Sequence, residues 1–268
     1  MRMDEALREG VIALAHRAAA RILAVYDSAA FEDEAAIRQK DDRSPLTAAD
    51  LASHRCIVDG LAELTPGLPV LSEESATVKI AARRGWQRFW LVDPLDGTRE
   101  FIKRNGEFTV NIALVEAGVA VFGVIQQPVT GALWHGAPGG GAFRRTEGGD
   151  LALRTRVPAA RPLRVAASRS HRDARTQALL DALPAHETLA CGSSLKFCRI
   201  AEGEIDLYPR FGPTSEWDTA AGQAILEAAG GAVLDPRGRP FRYNQREGLL
   251  NGDFVALGDP ALRTMLPA

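Results

Sequence analysis

The stretch Phe89-Trp90-Leu91-Val92-Asp93-Pro94-Leu95-Asp96-Gly97-Thr98 is an apolar run that ends on two aspartates three residues apart. Its first four residues predict a buried strand over 89–92 that breaks at Asp93 into a loop. Pro94 stiffens that loop and Gly97 allows it to turn sharply. The Leu95 carbonyl lies between the two carboxylates. Magnesium is a hard cation that takes oxygen ligands in near-octahedral geometry and keeps several waters, so its protein sites are a few carboxylates and carbonyls at the ends of rigid elements. Asp93 and Asp96 meet that requirement. Asp-Pro and Asp-Gly are also ordinary turn dipeptides, so alone the segment fits a turn as well as a metal site.

On the N-terminal side, Leu7, Val11, Leu14, Ala15, Ala18, Ile22 and Val25 recur at helical spacing and predict a helix over 4–26. Thr47 reads as the N-cap of a second helix, 48–64, which Pro66-Gly67 terminates. On the C-terminal side, 108–116, 119–127 and 131–135 read as successive strands. Pro138-Gly139-Gly140-Gly141 lacks the Lys-Ser/Thr and the following helix of a phosphate loop, and reads as a hairpin turn before a strand at Ala142-Phe143. A loop follows over 145–161. Strands at 163–167, 205–208, 232–234 and 254–257 then alternate with helices at 172–183, 194–202 and 217–229. Two helices followed by a strand meander, and then alternating strands and helices, predict an α+β lobe (1–150) and a layered α/β lobe (151–268).

The bulk numbers exclude several classes. The 268 residues are 46% apolar and 25% charged, as in soluble globular proteins, which sets aside disordered, collagen-like and coiled-coil chains. Lys and Arg (32) nearly balance Asp and Glu (34), so no net field favours a nucleic acid polymer. Cys56, Cys191 and Cys198 are odd in number and lack C-x-x-C spacing, which predicts free thiols rather than disulfides or zinc. No signal peptide or transmembrane segment is evident. A cytoplasmic protein is expected, with peripheral attachment to the cytoplasmic face of the inner membrane and a homodimer both left open.

Three further acidic positions matter. Glu73-Glu74 follows Val70-Leu71, where a solvated loop is the plain alternative. Asp218 falls in the first turn of a helix, where a carboxylate also favours the helix dipole. Thr47-Ala48-Ala49-Asp50 has capping-box spacing, so Asp50 has a structural role open to it.

Taken in order, Glu73-Glu74, then Trp90 to Thr98, then Trp217-Asp218-Thr219-Ala220-Ala221-Gly222 closely resemble the inositol monophosphatase superfamily, over essentially the whole chain. The resemblance implies a layered αβαβα sandwich of the inositol monophosphatase and fructose-1,6-bisphosphatase type, with the active site between the lobes. It implies a hydrolase needing two or three magnesium ions, with lithium sensitivity. Glu73, Asp93 and the Leu95 carbonyl would hold one ion; Asp93, Asp96 and Asp218 would hold another. The N-terminal lobe would thus carry most ligands, and Glu73 would count as catalytic through its metal. Asp50 aligns with the acidic residue that, with the Thr98 hydroxyl, orients the attacking water, and the backbone N–H groups of Gly97 and Thr98 would contact phosphate.

Within the superfamily, Arg99 to Ala113, Leu71-Ser72-Glu73-Glu74, Lys40-Asp41-Asp42 with Ser44-Pro45, Gly192 to Phe197 and Pro213 to Asp218 look like the 3'(2'),5'-bisphosphate nucleotidases of the CysQ type. Arg99 stands where many carry Lys. The implied substrate is 3'-phosphoadenosine 5'-phosphate, a by-product of sulfate activation in sulfur metabolism, cleaved to AMP and phosphate. His171, Ser193, Lys196 and Arg210 align with positions that contact the nucleotide; a helix cap remains open for Ser193 and a plain surface role for His171. Two alternatives stand beside this reading: another small-molecule phosphatase of the superfamily, acting on inositol 1-phosphate for instance, and a binding protein without turnover. The packed carboxylates argue against the second, since they repel one another unless a cation is bound.

Overall fold

The computed structural model describes residues 3–28, 38–39, 45–75, 82–167 and 174–265. Helix α1 (Glu5–Tyr26) starts at Asp4, whose side chain accepts from the Ala6 amide, and buries Val11, Leu14, Ala15, Ala18 and Ile22. Two short antiparallel strands, β1 (Arg38–Gln39) and β2 (Pro45–Leu46), precede α2 (Ala48–Leu64). Thr47 and Asp50 close a capping box at the start of α2.

A seven-stranded sheet follows in chain order: β3 (Val70–Ser72), β4 (Arg88–Asp96), β5 (Thr109–Glu116), β6 (Val119–Gln126), β7 (Leu133–Ala137), β8 (Gly141–Thr146) and β9 (Gly149–Leu153). Only β3 and β4 pair in parallel; every other neighbour is antiparallel. The short helix α3 (Thr98–Ile102) leaves the end of β4. The second sheet has the order β11-β10-β12-β14-β13, from β10 (Leu163–Ala167), β11 (His186–Ala190), β12 (Leu207–Arg210), β13 (Ala232–Leu234) and β14 (Phe254–Leu257). Helices α4 (Ala174–Ala182), α5 (Leu195–Ala201) and α6 (Glu216–Ala228) alternate with these strands.

The apolar clusters define the layers. Trp90, Val92, Ile112 and Val124 pack under α1 and α2. Phe89, Leu91, Ala113 and Ile125 point to the other face, where Phe197 of α5 and Ala220, Ala221 and Ala224 of α6 meet them. Alternate residues of β4 thus enter two cores, which is why the strand is continuously apolar from Phe89 to Val92. The middle helices also pack on Tyr208, Phe254 and Ala256 of the second sheet, and Leu180 of α4 joins Val165, Leu207 and Leu257 on its outer side. The architecture is the αβαβα sandwich.

Several boundaries differ from expectation. Strand β4 does not end at Val92: Asp93 pairs with Asn111 and Asp96 with Thr109, with an irregularity between them. That irregularity accommodates Pro94, which has no N–H to donate. The expected loop over 145–161 contains β9, an edge strand exposed along most of its length. The change of sheet falls between Leu153 and Leu163. Strands β3 and β11 carried no separate expectation. Residues 172 and 173 of the predicted 172–183 helix lie outside the described residues. Cys56, Cys191 and Cys198 are free, and no helix among the described residues is long and apolar enough to cross a membrane.

Candidate active site

The end of β4 is held from three sides. Asp93 is buried, and its Oδ1 accepts from the Leu95 amide at 3.0 Å. The Pro94 carbonyl accepts from Ser53 Oγ of α2 at 2.7 Å. Gly97 then turns the chain at φ +90°, where a Cβ would stand 3.2 Å from the Glu107 carbonyl; both the left-handed conformation and the space call for glycine. Gly97 is the N-cap of α3, and its carbonyl accepts from the Phe101 amide at 2.9 Å.

Thr98 opens α3 with its hydroxyl 3.3 Å from Asp50 Oδ1 and 3.4 Å from the Leu95 carbonyl. Asp50 Oδ2 accepts from the Thr47 amide at 2.8 Å and from the Thr47 hydroxyl at 2.5 Å. One carboxylate therefore caps α2 with one oxygen and reaches Thr98 with the other. The capping role and the contact with Thr98 coexist.

Asp96 and Asp218 come from different layers. Asp96 Oδ2 accepts from Ser194 Oγ at 2.7 Å and lies 3.4 Å from Asn111 Nδ2. Asp218 sits in the first turn of α6, where Ser215 and Asp218 form a capping box; its Oδ2 accepts from the Ser215 amide at 2.8 Å. Among the described residues, the other carboxylate oxygen of each has no hydrogen-bond partner. Burial raises the Asp218 carboxyl above its ordinary range, the charge of Asp96 raises it further, and Glu73 adds to the effect. Glu73 itself lies in a 3-10 turn directly after β3.

A cavity of about 250 Å³ opens at this point. Asp96, Gly97, Thr98, Ser193, Lys196, Arg210 and Asp218 all line it, so seven of the residues picked from the sequence meet at one wall. Asp50 joins them through Thr98. Glu73, Asp93 and Leu95 are not among the described lining residues, and His171 lies outside the described residues. Lys196 is buried; its ammonium donates to the carbonyls of Cys191 (3.0 Å) and Ser193 (2.7 Å) and stands 5.1 Å from the Tyr208 ring centre. That burial lowers its pKa from the usual lysine range. Ser193 adopts φ +41° and does not cap α5; its Oγ stands 3.4 Å from Thr109 Oγ1. Arg210 donates to the Pro213 carbonyl at 2.9 Å, while its buried Nε has no partner among the described residues.

Among the described residues, no three His, Cys, Asp or Glu side chains are grouped so as to hold a metal ion as they stand. The donor chemistry nevertheless fits a hard cation. Asp96 and Asp218 are carboxylates in each other's field, each with one oxygen fixed by the protein and one uncommitted, and such a pair is relieved by a divalent ion. Sequence reasoning missed Ser194 and Asn111. The only signal was a polar residue inside an apolar strand, Val110-Asn111-Ile112, and a second serine beside Ser193.

Residues 5–260 match the inositol monophosphatase family. The chain is 51% identical over 246 residues to the 3'(2'),5'-bisphosphate nucleotidase CysQ of Salmonella typhimurium, covering 92% of this chain and 97% of that one. The CysQ protein of Escherichia coli K12 is 50% identical over 244 residues, covering 91% and 96%. The crystal structure of CysQ from Bacteroides thetaiotaomicron superposes with a TM-score of 0.81 at 42% identity, covering 93% of this chain and 96% of that one.

Proposed function

The chain belongs to the inositol monophosphatase family, and we propose that it is a magnesium-dependent 3'(2'),5'-bisphosphate nucleotidase that hydrolyses 3'-phosphoadenosine 5'-phosphate to AMP and phosphate. The Thr98–Asp50 hydrogen bond, on the wall that also carries Asp96 and Asp218, is the observation that carries the chemistry. The identity to the CysQ nucleotidases supports the substrate.

Two or three magnesium ions would be held by Glu73, Asp93 and the Leu95 carbonyl, and by Asp93, Asp96 and Asp218. There the ions supply Lewis acidity toward water and the phosphate oxygens. The protein's own part is positioning. The Thr98 hydroxyl has one proton and two acceptors within reach, and the charged Asp50 Oδ1 is the stronger of them. With its proton on that bond, the Thr98 oxygen accepts from a water and turns the water's lone pair toward phosphorus. As the new P–O bond forms and the bond to the ribose oxygen breaks, the water's proton passes to Thr98 Oγ while the Thr98 proton moves to Asp50 Oδ1; the departing ribose oxygen takes a proton from solvent water to become the hydroxyl of AMP, and Asp50 gives its proton back to solvent.

Gly97 and Thr98, at the first turn of α3, offer backbone N–H groups to the phosphate. The second phosphate of the substrate needs cations from the protein. Arg210, which lines the same cavity, suits that role, and Lys196 and Ser193 shape the neighbouring loop. A reducing, cytoplasmic setting accords with three free thiols.

The test is release of inorganic phosphate with magnesium from three separate esters: 3'-phosphoadenosine 5'-phosphate, inositol 1-phosphate and fructose 1,6-bisphosphate. The nucleotide is expected to be hydrolysed fastest. Faster hydrolysis of inositol 1-phosphate would sink the nucleotidase reading and leave the phosphatase one. Release from none of them, with magnesium bound, would point to a binding protein.

A further inference from the structure

Ser194 stands at the only point where the two halves of the Asp96–Asp218 pair are tied to one side chain among the described residues. Its hydroxyl lies 2.7 Å from Asp96 Oδ2 and 2.8 Å from the Asp218 backbone carbonyl, and it accepts from Asn111 Nδ2 at 2.8 Å. Both Ser194 and Asn111 are buried. Asn111 is itself fixed, because its Oδ1 accepts from the Thr109 hydroxyl at 3.0 Å. Asn111 and Asp96 belong to neighbouring strands of the large sheet, whereas Ser194 and Asp218 belong to the helical middle layer. One hydroxyl therefore spans both layers where their carboxylates meet.

A plain structural role for Ser194 would be to cap α5, since it occupies the N-cap position. It does not do so: its backbone is helical (φ −72°, ψ −2°) and its side chain makes no capping hydrogen bond. The hydroxyl is committed to the carboxylate pair instead. It has one proton for two acceptors, and the charged Asp96 oxygen is the stronger. Asp96 Oδ2 is thereby turned into the protein, which fixes where Oδ1 points. The Asp218 carbonyl beside the same hydroxyl keeps α6 in register with Asp96.

We propose that Ser194, supported by Asn111, is a positioning residue that orients the Asp96 carboxylate and sets its separation from Asp218, and so sets the affinity of the site for divalent cations. This rests on the metal-dependent phosphatase reading. Partners of metal-binding carboxylates typically contribute about 10–100-fold in metal affinity or activity.

The test compares wild type, Ser194→Ala and Ser194→Thr, titrated calorimetrically with magnesium in the absence of substrate. Phosphate release as a function of magnesium and melting in a chelator are measured alongside. Ser194→Ala is expected to weaken magnesium binding and raise the magnesium concentration for half-activation by about 10–100-fold. Its KM for the nucleotide at saturating magnesium should stay near wild type, and Ser194→Thr should recover most of the affinity. Should Ser194→Ala fail to fold, Asn111→Ala carries the test, with a several-fold loss in the same direction expected. Magnesium affinity unchanged in the folded variant overturns the proposal. A wild type that binds magnesium but hydrolyses no ester overturns the functional reading alone, and the calorimetric comparison still decides the role of Ser194.

Discussion

Gly123→Ala should separate the position of α6 from the stability of the fold. Gly123, in β6, backs directly onto that helix: a Cβ there would lie 2.3 Å from the Ala221 carbonyl oxygen, 2.8 Å from its Cα and 2.9 Å from its carbonyl carbon. These are backbone atoms, so no rotamer change relieves them. Ordinary contact begins at 3.4 Å, and the helix must therefore retreat by about 1 Å. Overpacking of this kind costs about 1–3 kcal/mol. At roughly 2–4 °C per kcal/mol for a chain of this size, Tm should fall by about 2–12 °C. The larger consequence is at Asp218, one turn before Ala221 in the same helix. A misplacement of about 1 Å at a reacting site costs on the order of 100-fold in rate. We predict a fall of that size in kcat for phosphate release, assayed at a temperature where calorimetry shows the variant folded. Gly252→Ala, whose added Cβ meets nothing within 4 Å, is the control and should change little. A folded Gly123→Ala enzyme with kcat within about threefold of wild type would refute the claim that the sheet–helix approach sets Asp218.

Thr98→Val should lower kcat by about 10²–10⁴-fold with little change in Tm, since it removes the hydroxyl between Asp50 and the water; Thr98→Ser should recover most of the loss, and a valine variant of full activity would contradict that role. Arg83 is fully buried, with its Nη2 within 2.8–2.9 Å of the carbonyls of Arg246, Glu247 and Gly248 and its Nη1 2.6 Å from Asn244 Oδ1. Arg83→Met leaves those acceptors short of donors, and thermal melting should show a loss of about 3–5 kcal/mol; a loss below about 1 kcal/mol would mean that water replaces the guanidinium freely. The paired hydrogen bonds from Arg145 (2.9 Å each) hold Glu9 below its ordinary pKa of 4.5. The folded state then binds fewer protons than the unfolded one, so this stabilisation is present above about pH 4.5 and is lost as pH falls below it. Glu9→Gln should flatten the acid side of the Tm–pH curve; an unchanged slope would show the pair to be inert.

The strand and turn from Phe89 to Thr98 were legible because their signals are local. Apolar residues buried on both faces, a stiffening proline, a glycine at a forced positive φ and two spaced carboxylates all lie within ten residues. The same holds for α2, where Thr47 and Asp50 announce the cap and Pro66-Gly67 the end. What was not legible depends on partners far away in sequence. Strand β4 continues through Asp93 only because Asn111 and Thr109 of β5 pair with it, and Pro94 alone argues for a break. Edge strand β9 is five residues long, opens on Gly149-Asp150, a turn pair, and leaves four of its five residues exposed, so no buried face marks it as a strand. Ser194 and Asn111 acquire meaning only when the helical layer docks on the sheet 83 residues away. Lys196 was placed near the nucleotide by the resemblance; that its ammonium also donates to the Cys191 and Ser193 carbonyls depends on how the loop folds back, which sequence does not show.

On the proposed reading, the segment from Asp93 to Thr98 anchors a metal site at which water attacks a phosphate ester. Asp93→Asn removes one charge from a buried carboxylate and preserves its shape. Magnesium titration and phosphate release from 3'-phosphoadenosine 5'-phosphate should be measured on the folded variant beside wild type. Magnesium binding should weaken and turnover should be nearly abolished, with Tm in a chelator close to wild type. A folded Asp93→Asn protein with undiminished kcat would contradict that reading.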